Sequence, residues 1–274
     1  MISVRRHKSA NSFLRESEAW LRKNLIENNV LLSVSRFLTS NQHHYREPVF
    51  LATIFDRTQI IGCAVCAPPD GLYLSRMPPE AIPKLANQLE LLYDSISQVV
   101  GPVYEAQRFA ICWTKQEAKV HSTYQWFSLR TVTLPKRRAS GTIRVATEDD
   151  LPIVQSWAPE YAKEVGAKID VGAMFTSLIS RRLMYLWIDE EPRCLVTVSG
   201  LTPYSFRVSA LYTPPPFRGS GYAINAVAES CKEILAKGRS ICIVASDITA
   251  SGPMHLYQQL GFEPDQCYVH VYFE

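Results

Sequence analysis

The sequence predicts a mixed α/β fold made of two domains, and two observations carry that prediction. Its 274 residues exceed what one domain usually needs and suit two. In the second half, apolar strand-like runs and amphipathic segments follow each other in the order β-α-α-β-β-β-α-β-α-β, which indicates helices layered on a mixed sheet. Between the halves lies "PKRRASG", residues 135–141, a polar and basic stretch with the composition of a connector. We therefore place the domain boundary near residue 140, giving domains 1–140 and 141–274.

The first half has a looser version of the same order, which suggests an internal duplication. Helical spacing of apolar residues predicts helices over 12–28, 30–38 and 79–96. Apolar or alternating runs predict strands over 49–55, 60–68, 72–77, near 101–106 and over 124–134.

In the second half the elements are clearer. A strand over 142–146 leads to Thr147 and Asp150, whose spacing is that of a helix-start capping signal. Helices are predicted over 148–165 and 171–183, followed by strands over 184–189, 193–200 and 206–213. A third helix carries an apolar stripe and ends at Lys237 and Gly238, and a strand over 240–246, a helix that stops at Gly261 and a strand over 267–273 complete the chain.

Composition excludes several classes of function. A net charge of +3 is too small for a dedicated nucleic-acid binder. Apolar runs stay well short of the roughly 18 residues that a membrane span needs, so we expect a cytoplasmic protein without a membrane partner. Cys63 and Cys66 have metal-ligand spacing, but in a strand they would point to opposite faces, and we expect no metal site.

The stretch "TPPPFRGSGYA", residues 213–223, combines features that suit a phosphate group. It runs from a strand into the start of a helix, where unpaired backbone N–H groups and the helix dipole favour an anion. Gly219 and Gly221 let the backbone approach a ligand closely, and Arg218 adds a cation. The loop has neither the G-K-[ST] of a Walker A sequence nor the dinucleotide fingerprint G-x-G-x-x-G. A diphosphate outside those two nucleotide classes is the predicted ligand.

This loop resembles a known family. Residues 218–223, "RGSGYA", match the R/Q-x-x-G-x-G/A pattern of the GNAT N-acetyltransferase superfamily, and the preceding "LYTPP" is similar to the predicted acetyltransferases with a Y-T-P-P loop. "LYQQLGFEP" resembles the superfamily's Y-x-x-x-G-F-x-P segment through Tyr257, Gly261, Phe262 and Pro264. The resemblance covers residues 141–274 and implies the GNAT acyl-CoA N-acyltransferase fold. The first half, which lacks the loop pattern, resembles the degenerate N-terminal domain of tandem members.

The resemblance implies an acetyl-CoA-dependent N-acetyltransferase. It implies that the amides of Arg218, Gly219, Ser220, Gly221, Tyr222 and Ala223 hold the diphosphate of acetyl-CoA. It also implies that the backbone of Leu211, Tyr212 and Thr213 pairs with the pantetheine arm and supplies an oxyanion donor. Tyr257 stands at the position of the general acid that protonates the departing thiolate.

The base that deprotonates the amine stays open among Glu160, Glu164, Asp170 and Asp247. Asp247 leads because "SDITASGP" stands where relatives often have T-D-x-x-N, although Ala250 takes the place of that asparagine. The alternative functions are a longer-chain N-acyltransferase and a non-catalytic CoA-binding module. The expected partner is a small-molecule or peptide amine, with drug, polyamine, amino acid and protein N-terminus all open and the oligomeric state unknown.

Overall fold

The structure, a computed structural model, describes residues 1–40, 45–167, 169–248 and 251–274. The chain forms two compact units that are not contiguous in sequence. The first contains Met1–Trp126, residues 246–248 and Pro264–Glu274, and the second contains Phe127–Ala245 and Ser251–Glu263. The last strand of the chain therefore folds with the first unit.

The regular elements alternate along the chain. The strands are β1 (Ile2–Arg6), β2 (Phe50–Asp56), β3 (Gln59–Ala67), β4 (Gly71–Leu74), β5 (Gln98–Pro102), β6 (Ala118–Leu129), β7 (Thr142–Val145), β8 (Met184–Asp189), β9 (Glu191–Ser199), β10 (Ser205–Tyr212), β11 (Ile241–Asp247) and β12 (Glu263–Phe273). The α-helices are α1 (Ala10–Leu21), α2 (Asn29–Phe37), α3 (Ala81–Glu90), α4 (Val103–Cys112), α5 (Leu151–Val165), α6 (Val171–Ser180), α7 (Tyr222–Ala236) and α8 (Ser251–Gln259). Within the part of the chain that is described, no helix combines the length and apolarity needed to cross a membrane.

In the first unit the strands lie in the order β1-β2-β3-β4-β5-β12, and β4 and β5 form the one parallel pair among them. Cys63 packs with residues of α1 and α2, whereas Cys66 packs with residues of α3 and α4. The two thiols therefore lie on opposite faces of β3, as the spacing predicts.

Two elements of this unit differ from the sequence-based expectation. Strand β1 was not predicted, and residues 103–112, expected near a strand, form α4. Ala106 and Phe109 are fully buried on one side of that helix. Their spacing of three is the helical signal, which a short strand-like run beside Pro102 obscures.

In the second unit the strands lie in the order β11-β10-β9-β8-β7, with β10 and β11 parallel and the other neighbours antiparallel. The apolar stripe of α7 packs on β8, β9 and β10. At the start of α5 the Asp150 carboxylate accepts from the Thr147 N–H at 2.8 Å and from both terminal nitrogens of Arg144 at 2.7 Å. The predicted capping pair is confirmed, and Arg144 extends it into β7.

Candidate functional site

The end of strand β10 separates from its parallel neighbour. Pairing with β11 runs from Ser205 to Val208 and stops there, although β10 continues to Tyr212. On the other edge one extra residue enters β10 between Val208 and Leu211, forming a bulge against β9. The buried Thr197 hydroxyl accepts from the Ala210 N–H at 2.8 Å and so satisfies the backbone at this irregularity. The last residues of β10 thus have one edge without its β11 partner.

The loop after β10 depends on two glycines. Gly219 has φ +79° and Gly221 has φ +85°, in the left-handed region that residues with a Cβ rarely adopt. A Cβ built on Gly219 would meet no described atom within 4 Å. Glycine is therefore required at 219 for its backbone conformation and not because a neighbouring atom excludes a Cβ. Without a side chain, the backbone at this position is open to a ligand.

Helix α7 begins with unpaired donors. Gly221 is its N-cap, and no described side chain forms a capping hydrogen bond there. The N–H groups of Tyr222, Ala223 and Ile224 belong to the first turn, where α-helical geometry provides no carbonyl partner. These amides and the positive end of the helix dipole make the start of α7 suited to an anion.

A cleft of about 530 Å³ opens at this point. Eight of the residues expected at the site line it: Leu211, Tyr212, Thr213, Arg218, Gly219, Gly221, Tyr222 and Ala223. The remaining lining residues are Glu164, Phe217, Ile224 and Leu256. Ser220, although in the same loop, is not part of the lining. The structure thus brings the strand end and the glycine loop together around one cavity.

Arg218 is held by groups of the protein itself. Its Nε donates to the Thr213 carbonyl at 2.9 Å, and its Nη2 pairs with the Glu164 carboxylate. Its guanidinium carbon lies 5.9 Å from the centre of the Tyr212 ring. Because both ionic side chains are nearly half exposed, the pair is screened by solvent and stabilises the fold little. It does fix the arginine beside the cleft.

Tyr212 links the cleft to helix α5. Its hydroxyl donates to Glu160 Oε2 at 2.6 Å, and its ring packs edge-on against Tyr161 at 6.0 Å. Burial raises the pKa of Tyr212, and the Glu160 carboxylate raises it further. The phenol therefore stays protonated at neutral pH and holds the end of β10 against α5.

Tyr222 is tied back to the strands. Its hydroxyl donates to Asp189 Oδ2 at 2.6 Å, and the Ser140 hydroxyl donates to the same oxygen at 2.6 Å. The hydrogen bond from Ser140, followed by that from Tyr222, lowers the pKa of Asp189. A charged carboxylate thus anchors the first residue of α7.

Asn225 is a positioning residue that the sequence analysis missed. Its side-chain amide donates to the Gly221 carbonyl at 2.9 Å and to the Arg137 carbonyl at 3.1 Å, and the residue is buried. An asparagine inside the apolar stripe of α7, four residues after Gly221, is the signal that could have identified it. It joins the glycine loop to the connector before β7.

Tyr257 lies in the core beside the cleft's Leu256. Only 4% of its surface is exposed, and it packs edge-on against Phe262 at 5.4 Å. Burial raises the pKa of Tyr257, with Cys242, Cys231 and Tyr161 adding to the effect. It is not part of the cleft lining, and the described residues offer its hydroxyl no hydrogen-bond partner. Its role as general acid stays a prediction.

Asp247 is the last residue of β11, is half-buried, and belongs to the first unit. It is not among the residues that line the cleft, and its role as base stays a prediction. The Ala250 position lies outside the described residues. Across the described ranges, no group of three His, Cys, Asp or Glu side chains could hold a metal ion.

Comparison with known proteins identifies the fold. The sequence model of the family described as "FR47-like protein" matches residues 195–271, which contain β10, the glycine loop and α7. A GNAT-family acetyltransferase from Colwellia psychrerythraea is 14% identical, with 99% of each chain covered and a TM-score of 0.58. The chain has the GNAT fold. A Drosophila protein of 13% identity shares this fold with a TM-score of 0.71, covering 99% of this chain and 98% of its own.

The GNAT fold extends over the whole chain. A tandem GNAT protein from the clavulanic acid biosynthesis pathway, 11% identical, covers 100% of this chain and 98% of its own with a TM-score of 0.54. None of the curated proteins matches the sequence. The predicted fold class, a mixed α/β sheet of GNAT type, is confirmed. Sequence identities this low support a conclusion about the fold alone.

Proposed function

We propose that the protein is an acyl-CoA-dependent N-acyltransferase that binds acetyl-CoA in the cleft and transfers the acetyl group to an amine. One observation carries the proposal. The uncapped start of α7, opened by Gly219 and Gly221, faces the same cleft as the end of β10, where pairing with β11 has stopped. An anion seat next to a free strand edge suits a ligand that has a diphosphate at one end and an amide-containing arm at the other.

The residues present fit the diphosphate. First-turn amides of α7 are free to donate, and an open approach exists at Gly219. The cleft volume lies within the range of about 300–1,000 Å³ that is usual for small-molecule sites. Ser220 contributes its backbone to the loop rather than a side chain to the lining.

The free edge at the end of β10 suits the amide-containing pantetheine arm of acetyl-CoA. Residues 211–213 line the cleft beyond the point where β11 is paired, so their backbone groups can bond the arm as a neighbouring strand would. An N–H in this segment would also stabilise negative charge on the carbonyl oxygen during acyl transfer, a contribution of about 3–4 kcal/mol in other acyl-transfer enzymes.

The bound thioester supplies the activated acyl carbon, and the chain must provide proton transfers. Tyr257 is the proposed proton donor to the leaving sulfur. Its raised pKa makes it a weak acid, but burial raises the pKa of a thiol in the same apolar surroundings as well, which keeps the transfer feasible. A protonated phenol at neutral pH is the state that this role requires.

Two carboxylates are proposed for the base. Asp247 is the choice from the sequence motif. Glu164 lines the cleft, so it has the access to an incoming amine that the role needs. Substituting each by its amide and comparing the pH dependence of turnover separates them.

A longer acyl chain is the second candidate function. The side chains of Phe217, Ile224 and Leu256 give the cleft an apolar lining that would accept additional methylene groups. The acceptor is proposed to be a small-molecule or peptide amine in the cytoplasm, with neither nucleic acid nor membrane as partner. The two halves are proposed to be tandem GNAT-like domains, with the cofactor site in the second.

The first test is binding. Thermal unfolding and calorimetry with acetyl-CoA, CoA and NADPH should show stabilisation by both CoA species, about 2.7 kcal/mol at 100 times the dissociation constant. Stabilisation by NADPH alone would refute the proposal. A panel of amines with thiol detection, run with acetyl-CoA and longer acyl-CoA species, then identifies the acceptor and the chain length. Binding without turnover on any amine would instead indicate the non-catalytic module.

A further inference from the structure

The connector before β7 carries three adjacent cations. Lys136, Arg137 and Arg138, which we call the basic connector, are all exposed. None of the three forms an ion pair with a carboxylate of the described residues. A solvated linker of this composition would need no fixed position, but in the structure the basic connector and the residues after it are held in one place by contacts with other parts of the second unit.

The basic connector is fixed to the start of α7 by a buried amide. The Asn225 side chain donates to the Arg137 carbonyl at 3.1 Å and to the Gly221 carbonyl at 2.9 Å. The same side chain therefore holds the connector and the loop that opens the cleft. Because the contact uses the backbone of Arg137, its guanidinium stays free.

The residues that follow the cations are anchored as well. Ala139 is buried, and a Cβ placed on Gly221 would lie 3.9 Å from the Ala139 Cβ. The Ser140 carbonyl accepts from the Trp187 indole at 2.7 Å, and its hydroxyl donates to Asp189, which also accepts from Tyr222. The Asp189 carboxylate in this network accepts from two hydroxyls and forms no ion pair with the three cations of the connector.

We propose that the basic connector binds the 3′-phosphate on the ribose of CoA, which makes the protein selective for CoA over 3′-dephospho-CoA. The proposal rests on the proposed function. If the diphosphate occupies the start of α7, the ribose and its phosphate lie at the outer end of the ligand, beyond the amides of the glycine loop. A phosphomonoester carries a charge of about −1.5 to −2 at pH 7, and an arginine fork matches its oxygens.

The chemistry separates this contact from the diphosphate seat. Backbone amides of α7 bind both CoA and dephospho-CoA, since both contain the diphosphate. Only the 3′-phosphate offers an additional dianion to cations outside the cleft lining. Selectivity between the two ligands therefore reports on the basic connector and not on the loop.

The test measures dissociation constants by calorimetry for CoA and 3′-dephospho-CoA. It uses the wild-type chain and a triple variant with Lys136→Gln, Arg137→Gln and Arg138→Gln. At low salt we expect the wild type to bind CoA about tenfold more tightly than 3′-dephospho-CoA. A few exposed charge contacts together contribute a difference in binding of about this size. The preference should shrink as ionic strength rises. In the triple variant it should disappear through weaker CoA binding, with the affinity for dephospho-CoA unchanged.

A charge-matched control removes Lys8, Arg15 and Arg108, three exposed cations of the first unit, in the same way. It should keep the preference for CoA, and thermal unfolding checks that both triple variants are folded. Equal affinity of the wild type for the two ligands would overturn the proposal. So would a preference that survives in the connector variant, or equal weakening of both ligands in it. Failure of both ligands to bind the wild type would refute the proposed function itself.

Discussion

The glycine loop can be tested with a pair of substitutions that strain the backbone equally. Gly219 precedes α7 with φ +79°, and Gly238 follows it with φ +90°. A Cβ at either position meets no described atom within 4 Å. Helix α7 has 15 residues, so the two glycines are separated by its length of about 22 Å. Gly219→Ala and Gly238→Ala therefore differ in their distance from the cleft and not in steric cost.

The expected loss of stability follows from the dihedral angles. Left-handed backbone costs a residue with a Cβ about 1–2 kcal/mol. The lower entropy of the unfolded chain offsets about 0.4–1 kcal/mol of it. Each variant should lose about 1 kcal/mol, a fall in melting temperature of about 2–4 °C.

Binding should separate the two variants. At position 219 the methyl group would stand where the proposed site brings the diphosphate to the amides. Losing one charge-assisted hydrogen bond of about 1.5–3 kcal/mol weakens acetyl-CoA binding by about tenfold or more. At position 238 the affinity should equal that of the wild type. Calorimetry with acetyl-CoA measures both constants.

Two results would contradict this reasoning. Unchanged affinity in Gly219→Ala would mean that the loop does not seat the ligand. Equal weakening in both variants would mean that strain in α7, rather than access to its amides, controls binding.

Three further predictions concern side chains. Tyr257→Phe should reduce turnover strongly and leave acetyl-CoA affinity near normal, measured by thiol release and calorimetry; full turnover when chemistry limits the rate removes this tyrosine from the mechanism. Arg218→Glu should weaken acetyl-CoA binding by about tenfold. The new carboxylate would stand beside that of Glu164, and together they would repel the negatively charged diphosphate. Glu164→Gln, its control, frees the arginine and should bind at least as well as the wild type, so similar losses in both would exclude a charge effect. Asp150→Asn should cost about 1–2 kcal/mol of unfolding free energy at pH 7, measured by urea denaturation. Several contacts, foremost the hydrogen bonds from Arg144, hold the pKa of Asp150 below its usual value. The stabilisation of the fold by the charged carboxylate is therefore complete above about pH 4–5 and is lost as the pH falls through the folded-state pKa. A deficit that does not begin to shrink as the pH falls below about 4 would show that the charge is not its source.

Much of the second unit was predictable because its signals are local. The apolar stripe of α7, the capping pair at Asp150 and strand β8 depend on residues within a few positions of one another. The glycine loop was equally predictable, because its left-handed φ angles require glycine at the positions that adopt them. Where two local signals compete, as in α4, prediction fails even though the helical spacing is present.

The cleft as a cavity was not predictable from those signals. Glu164 and Leu256 reach it from helices distant in sequence from the loop. The resemblance implies an unpaired strand end at residues 211–213, but local patterns do not identify Val208 as the residue where pairing of β10 with β11 stops, because strand register is set by packing between elements. The position of Tyr257 outside the lining is a consequence of the same packing.

By itself the sequence determined the fold class, most elements of the second half and the glycine-dependent loop before α7, since each follows from local periodicity, capping or glycine conformation. The anion-binding role of residues 218–223 stays a prediction. Only the tertiary structure decided that the last strand folds with the first unit, that Arg218 is held by Glu164, and that Asn225 fixes the basic connector beside the start of α7. Those outcomes depend on contacts between residues far apart in the chain, whose geometry arises only when the sheet and its helices pack together.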